Sequence, residues 1–175
     1  MRGSTIFVNR IVAAPSSYEQ DGNKMTFLTQ VEESASPSPA DIAAIESARK
    51  RTASFREDMT ARAGGMYDRN YVANLLSITP ATVERRRKRR QLLGVPYGKE
   101  FRYPAAQFVG GGVVPGLKAV LEAFDDTHPW EQLMMLVTPL EGYAGGPGTL
   151  LEILSRPSCA GALPQLTGLV ASWVA

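Results

Sequence analysis

Six consecutive cations, Arg85-Arg86-Arg87-Lys88-Arg89-Arg90, follow closely on a helix start at Thr79-Pro80. Thr79 suits the N-cap, where its hydroxyl can accept from a backbone N–H of the first turn. Pro80 suits the first helical position, because its missing N–H would have had no intrahelical partner. A helix so charged repels itself. Arg85/Arg89 and Arg86/Arg90 are like-charge pairs four residues apart, each costing roughly 0.2–0.5 kcal/mol. Only Glu84/Lys88 opposes this at the same spacing. A polyanion would remove the repulsion, and a phosphate backbone is the nearest candidate. The plainer readings are a solvated charged face or a sorting signal. The flanking residues favour the polyanion.

Before the basic run, the pattern predicts a short helix from about Asp68 to Leu76 that buries Tyr71, Val72, Leu75 and Leu76. A three-residue turn, Ser77-Ile78-Thr79, follows, and then the basic helix from Pro80 to about Gln91. Helix, short turn and capped second helix form the helix-turn-helix pattern. Ser77 stands where glycine is common, since glycine takes positive φ freely. After the basic helix, Leu92–Pro96 and Glu100–Pro104 flank Tyr97-Gly98-Lys99. This reads as a hairpin, or wing. Ala105–Phe108 and a glycine-rich joint, Gly110-Gly111-Gly112, come next.

Residues 1–37 hold two candidate strands, 5–8 and 25–28, and end in a Ser/Pro linker. Ser38-Pro39-Ala40-Asp41 opens a long helix over residues 38–65, stopped by Gly64-Gly65. Its apolar stripe (Ile42, Ile45, Ala48, Phe55, Met59) is thin for its length and broken by Arg49 and Thr52, so the helix should pack on a partner or on the rest of the chain. Residues 66–110 form the helix-turn-helix with its wing. Residues 111–175 are helical, with Leu117, Val120, Leu121 and Phe124 inward in one helix and Leu133, Leu136 and Val137 in the next. The last helix sets Leu166, Leu169, Val170 and Trp173 on one stripe. The expected fold is therefore mainly α: a helix-turn-helix with a small β-hairpin wing, a C-terminal helical domain, and short strands at the N-terminus.

Charge sharpens this division. The net charge is +2 over 175 residues, but residues 65–110 carry 9 cations and 3 anions while residues 111–175 carry 2 and 6. A basic centre beside an acidic C-terminal region suggests two partners of opposite character. One cysteine, Cys159, and one histidine, His128, exclude an intrachain disulfide and leave too few ligands for an ordinary zinc site. No metal or other cofactor is expected. No apolar run reaches the roughly 18 residues of a membrane span, and the N-terminus lacks the core of a secretory signal. A cytoplasmic protein is expected, on the nucleoid when bound to DNA. No motif places a nucleophile beside His128, so no catalytic residue is assigned and no enzyme activity is expected.

Stepping 100° per residue from Val83 as the inward reference turns Ala81, Thr82, Arg85, Lys88 and Arg89 outward on the basic helix. Arg86, Arg87 and Arg90 fall toward the inner side and must snorkel. Thr82, Arg85 and Arg89 are the candidates for base edges in the major groove. Lys88, Arg86 and Arg90 are candidates for phosphates, with Thr79 at the helix start grouped with them. On the wing, Lys99 and Arg102 could reach the backbone or minor groove. Trp130, Leu169, Trp173 and Val174 are the candidates for a protein partner; the competing reading has the C-terminal stripe closing the chain's own core.

These residues resemble a known family. Val72-Ala73-Asn74-Leu75-Leu76, with Thr79-Pro80-Ala81-Thr82-Val83-Glu84-Arg85, is similar to the helix-turn-helix of MerR and excisionase-type proteins. Tyr103-Pro104-Ala105-Ala106-Gln107-Phe108 resembles a stretch in relatives of the Xre/MbcA/ParS antitoxins. Pro129-Trp130-Glu131, Thr138-Pro139 and Thr149–Leu154 resemble their C-terminal toxin-binding domain. The resemblance covers roughly residues 66–175. It implies an antitoxin and autorepressor that binds double-stranded DNA, paired with a RES-domain toxin whose active site the C-terminal helices cover. The other reading is a stand-alone DNA-binding regulator whose C-terminal domain only oligomerises. Either way a homodimer or larger homo-oligomer is expected, because paired half-sites reinforce one modest helix-turn-helix. Residues 40–63 and the C-terminal helices are the two candidate interfaces.

Overall fold

Ser38 and Asp41 cap each other. The Ser38 hydroxyl accepts the Asp41 N–H at 3.2 Å, and the Asp41 carboxylate accepts the Ser38 N–H at 3.0 Å. This capping box, with proline next, starts α1 (Pro39–Arg62). The computed structural model describes residues 38–141, 146–157 and 159–174, without the side chains of residues 159 and 160. The strands expected at 5–8 and 25–28, and residues 34–37 of the linker, lie outside the described residues.

After α1 come β1 (Met66–Tyr67), α2 (Arg69–Leu75), α3 (Pro80–Lys88), β2 (Val95–Tyr97) and β3 (Glu100–Pro104). A short 3-10 turn at Ala105–Gln107 leads to β4 (Phe108–Val109) and β5 (Gly112–Val113). Four helices complete the chain: α4 (Leu117–Ala123), α5 (Pro129–Val137), α6 (Leu150–Ser155) and α7 (Cys159–Val174). The fold is mainly α with a small antiparallel sheet.

Three helix ends close by one device. The N–H of Gly65, Ile78 and Gln91 reaches back to the carbonyl of Thr60, Ala73 and Arg86, each at 2.9 Å. The residue before each donor sits in the left-handed region: Gly64 at φ 69°, Ser77 at 53° and Arg90 at 53°. Glycine at the first site is what the sequence led one to expect. The other two spend backbone strain to stop α2 and α3. The basic helix therefore ends at Lys88, with Arg89 as its cap, rather than at Gln91.

The expected wing is present. Val95, Pro96 and Tyr97 pair with Arg102, Phe101 and Glu100 around a two-residue Gly98-Lys99 turn. The sequence did not foreshadow its third strand: Met66 and Tyr67 pair with Pro104 and Tyr103, giving the order β1-β3-β2. Two residues give no periodicity to read. The glycine joint is also a tighter structure than expected. Gly110 and Gly111, at φ 60° and 78°, turn the chain between β4 and β5.

The described residues belong to one compact unit, and its core crosses the expected boundaries. A small cluster of Val72, Ala73, Val83, Leu92 and Tyr103 unites the helix-turn-helix with the wing. A larger one joins the C-terminal helices, and it also takes in Met59 and Ala63 from α1's end and Leu93 and Val95 from the wing. Leu92 and Leu93 are neighbours that enter different cores. Gln107 locks this crossing. Its buried amide donates to the Leu93 carbonyl and accepts the Leu93 N–H, both at 2.9 Å.

Several apolar expectations hold and the one for Tyr71 fails. Leu117, Val120, Leu121, Phe124, Leu133, Leu136 and Val137 are buried as read. Tyr71 is not: it is 50% exposed, its ring 4.2 Å from that of Tyr67. Ile42 and Ile45 are also exposed, because only the last third of α1 lies on the body. There Phe55 meets the edge of Trp130 with centroids 6.3 Å apart, and the Thr60 hydroxyl lies 3.1 Å from that of Tyr97.

Candidate nucleic-acid interface

Thr79 caps α3 with its hydroxyl accepting the Thr82 N–H at 3.2 Å. The same hydroxyl lies 2.9 Å from that of Thr82, which in turn accepts from the Arg85 guanidinium at 3.0 Å. The first turn thus carries a hydrogen-bonded row, Thr79-Thr82-Arg85, along its outer edge. One turn on, Lys88 and Arg89 are exposed with Arg85, as the 100° projection from the buried Val83 required. Thr82 and Arg86 are half-buried beside them.

Two arginines of the run have other tasks. Arg87 lies with its guanidinium 3.7 Å from the centre of the Phe101 ring and donates through Nε to Glu84 at 3.0 Å. That hydrogen bond holds the Glu84 carboxyl below its usual range and the Arg87 guanidinium above its own. The stem of Arg87 also needs glycine at position 94, where an added Cβ would stand 2.6 Å from its Cδ. Arg87 therefore fastens α3 to the wing. Arg90 was expected on a phosphate. Its left-handed backbone instead turns it toward the end of α4, 3.4 Å from the Glu122 carbonyl and from the Asp126 carboxylate.

The wing's cations differ from each other. Lys99 is exposed at the hairpin tip, whereas Arg102 bonds Glu100 at 3.3 Å. Both line a groove of about 580 Å³ between the start of α2 and β3, together with Arg69. Arg69 escaped the sequence reading because a lone arginine after a cap residue gives no signal there. The groove also holds Asp68, Glu84 and Glu100, so its charge is mixed. At its inner wall, burial raises the Tyr103 phenol above its usual range, and its hydroxyl has no hydrogen-bond partner among the described residues.

The four residues assigned to a protein partner separate. Trp130 is 4% exposed: Arg56 stands 5.6 Å over its ring, and its Nε1 donates to the Pro96 carbonyl at 3.3 Å. It is an internal anchor between α1, the wing and α5, unavailable to a partner. Leu169, Trp173 and Val174 remain exposed at the end of α7. Trp173 also meets Phe124 edge-on at 6.2 Å.

No family model matches the chain, and no curated protein matches it. Among solved structures, the NMR structure of Rv2175c is similar, with 19% identity and a TM-score of 0.48 over 60% of this chain and 80% of that one. A likeness of that degree fixes no function. No described helix is long and apolar enough to cross a membrane.

Proposed function

We propose that the chain binds duplex DNA sequence-specifically as an antitoxin and autorepressor, with α3 in the major groove and the wing against the backbone. The observation that carries the DNA reading is the row of Arg85, Lys88 and Arg89. All three are exposed on one face of a capped helix, and none forms an ion pair among the described residues. The wing-tip Lys99 extends the same cationic surface. Arg85 and Arg89 read base edges, while Lys88 and Arg86 hold phosphates. The antitoxin reading rests on the resemblance to the Xre/MbcA/ParS family and on the apolar end of α7. There Leu169, Trp173 and Val174 would meet a RES-domain toxin. On this reading the protein works in the cytoplasm, at the nucleoid.

Fluorescence anisotropy with duplex fragments from the protein's own upstream region tests the DNA reading. Affinity should fall with salt at a log–log slope of about −0.9 per phosphate neutralised. Arg85→Ala or Arg89→Ala should relax sequence preference by roughly 1–3 kcal/mol. Absence of duplex binding at low salt refutes it. Co-purification with the product of the adjacent reading frame tests the toxin reading separately.

A further inference from the structure

α1 is 24 residues long, yet Ser38–Ser54 are all exposed. Ile42 and Ile45 are 47% and 46% open, a poor position for two isoleucines on a solvated helix. The face that seats Phe55 and Met59 on the body does not stop there. At 100° per residue it continues through Thr52, Ala48 and Ile45 to Asp41, a heptad-like spacing interrupted by the polar Thr52 and ending on a carboxylate. The seam is shaped for close approach. Ala44 and Ala48 are small, and the Thr52 hydroxyl donates to the Ala48 carbonyl at 3.0 Å within its own helix.

Charge along the exposed half is segregated. Residues 38–46 carry Asp41 and Glu46, and residues 47–55 carry Arg49, Lys50 and Arg51. A parallel neighbour would set the three cations against three cations. An antiparallel neighbour sets acids against cations at both ends.

We infer that the projecting half of α1 pairs antiparallel with the same half of a second copy, about a two-fold axis between Glu46 and Ser47. In this register Ile45 meets Ala48 of the other copy, Asp41 lies against Thr52 beside Arg51, and the stems of Arg49 and Arg51 cover Ile42. Ser38 falls opposite Phe55, where the helix reaches its own body, so the overlap covers the whole exposed half, about 27 Å at 1.5 Å per residue. This chooses the α1 face over the C-terminal helices as the dimer interface. It stands whether or not the chain binds DNA.

Light scattering of the full chain at micromolar concentration should return about twice the 18.9 kDa chain mass. Ile45→Glu with Ala48→Glu should yield monomer with unchanged circular dichroism. Arg49→Glu with Arg51→Glu should weaken the dimer by about tenfold or more. In a Cys159→Ser background, Ala48→Cys should form a covalent dimer on oxidation, whereas Ala43→Cys, on the opposite face, should not. A monomeric wild-type chain overturns the inference, including one that dimerises only after residues 1–37 are removed, which would show that they cover the face. A dimer indifferent to Ile45→Glu/Ala48→Glu, or cross-linked equally from Ala43, overturns it as well.

Discussion

Ser77 holds a left-handed backbone conformation, at φ 53°, with a side chain that is exposed. That conformation costs an L-residue roughly 1–2 kcal/mol, and glycine escapes it while losing about 0.5–1 kcal/mol of chain entropy. Ser77→Gly should therefore stabilise the fold by up to about 1 kcal/mol, read as a higher denaturant midpoint at constant slope. Arg90 shares the geometry but not the expectation. Its cation sits at a helix end, near the Glu122 carbonyl and Asp126, and these contacts offset part of the strain. Gln107 is the opposite case, a polar residue whose burial is fully compensated. Gln107→Ala leaves the Leu93 N–H and C=O without partners, and should cost about 2–4 kcal/mol in a chemical denaturation series. A smaller loss, under about 0.5 kcal/mol, would mean that the amide pair is replaced at no cost.

At the scale of elements, α3 and the wing are one device because Arg87 joins them. Glu84 is part of that joint, and its carboxyl is depressed from an ordinary value of 4.5 chiefly by the hydrogen bond from Arg87. A depressed carboxyl contributes stability that is present above its unfolded pKa and lost as pH falls through its folded value. The helix–wing contact should therefore loosen below about pH 4.5, with Glu84→Gln flattening that acid limb. Thermal melts between pH 3 and pH 7 would show it, and an unchanged acid limb in Glu84→Gln would exclude Glu84 as its source. Arg87→Ala should lower stability while leaving base preference intact, in contrast to Arg85→Ala. Both sit in the same run of cations, and only packing distinguishes them.

At the scale of the molecule, the stripe along the end of α7 has a buried side and an exposed side. Leu166 and Val170 are fully buried in the large core, whereas Leu169, Trp173 and Val174 face outward. Burying side chains of this size is worth about 1.5–3 kcal/mol each. Deleting residues 163–175 should thus unfold the C-terminal helices and cannot isolate a partner surface. Leu169→Asp with Trp173→Ala, which leaves Leu166 and Val170 in place, should keep the circular dichroism and abolish any protection from a toxin. Protection retained by that folded variant would refute a partner at this end of α7.

The elements whose signals are local were legible in the chain itself. Ser38, Thr79 and their prolines fixed two helix starts, the Val83 projection gave the outward face of α3, and Gly98 placed the wing. Caps, turns and periodicity act within a few residues, so composition along the chain suffices to find them. The candidate interface was legible for the same reason in Thr79, Thr82, Arg85, Lys88, Arg89 and Lys99, all close in sequence. What distance decided was invisible there. Arg90 meets Asp126, Arg87 meets Phe101, Trp130 meets Phe55 and Pro96, and two-residue β1 finds β3. Each depends on segments brought together only by folding. Amphipathic pattern says that a residue such as Ile45 or Trp173 needs cover; only the packed chain decides which of them its own core supplies, because burial is a property of the whole surface and not of the helix.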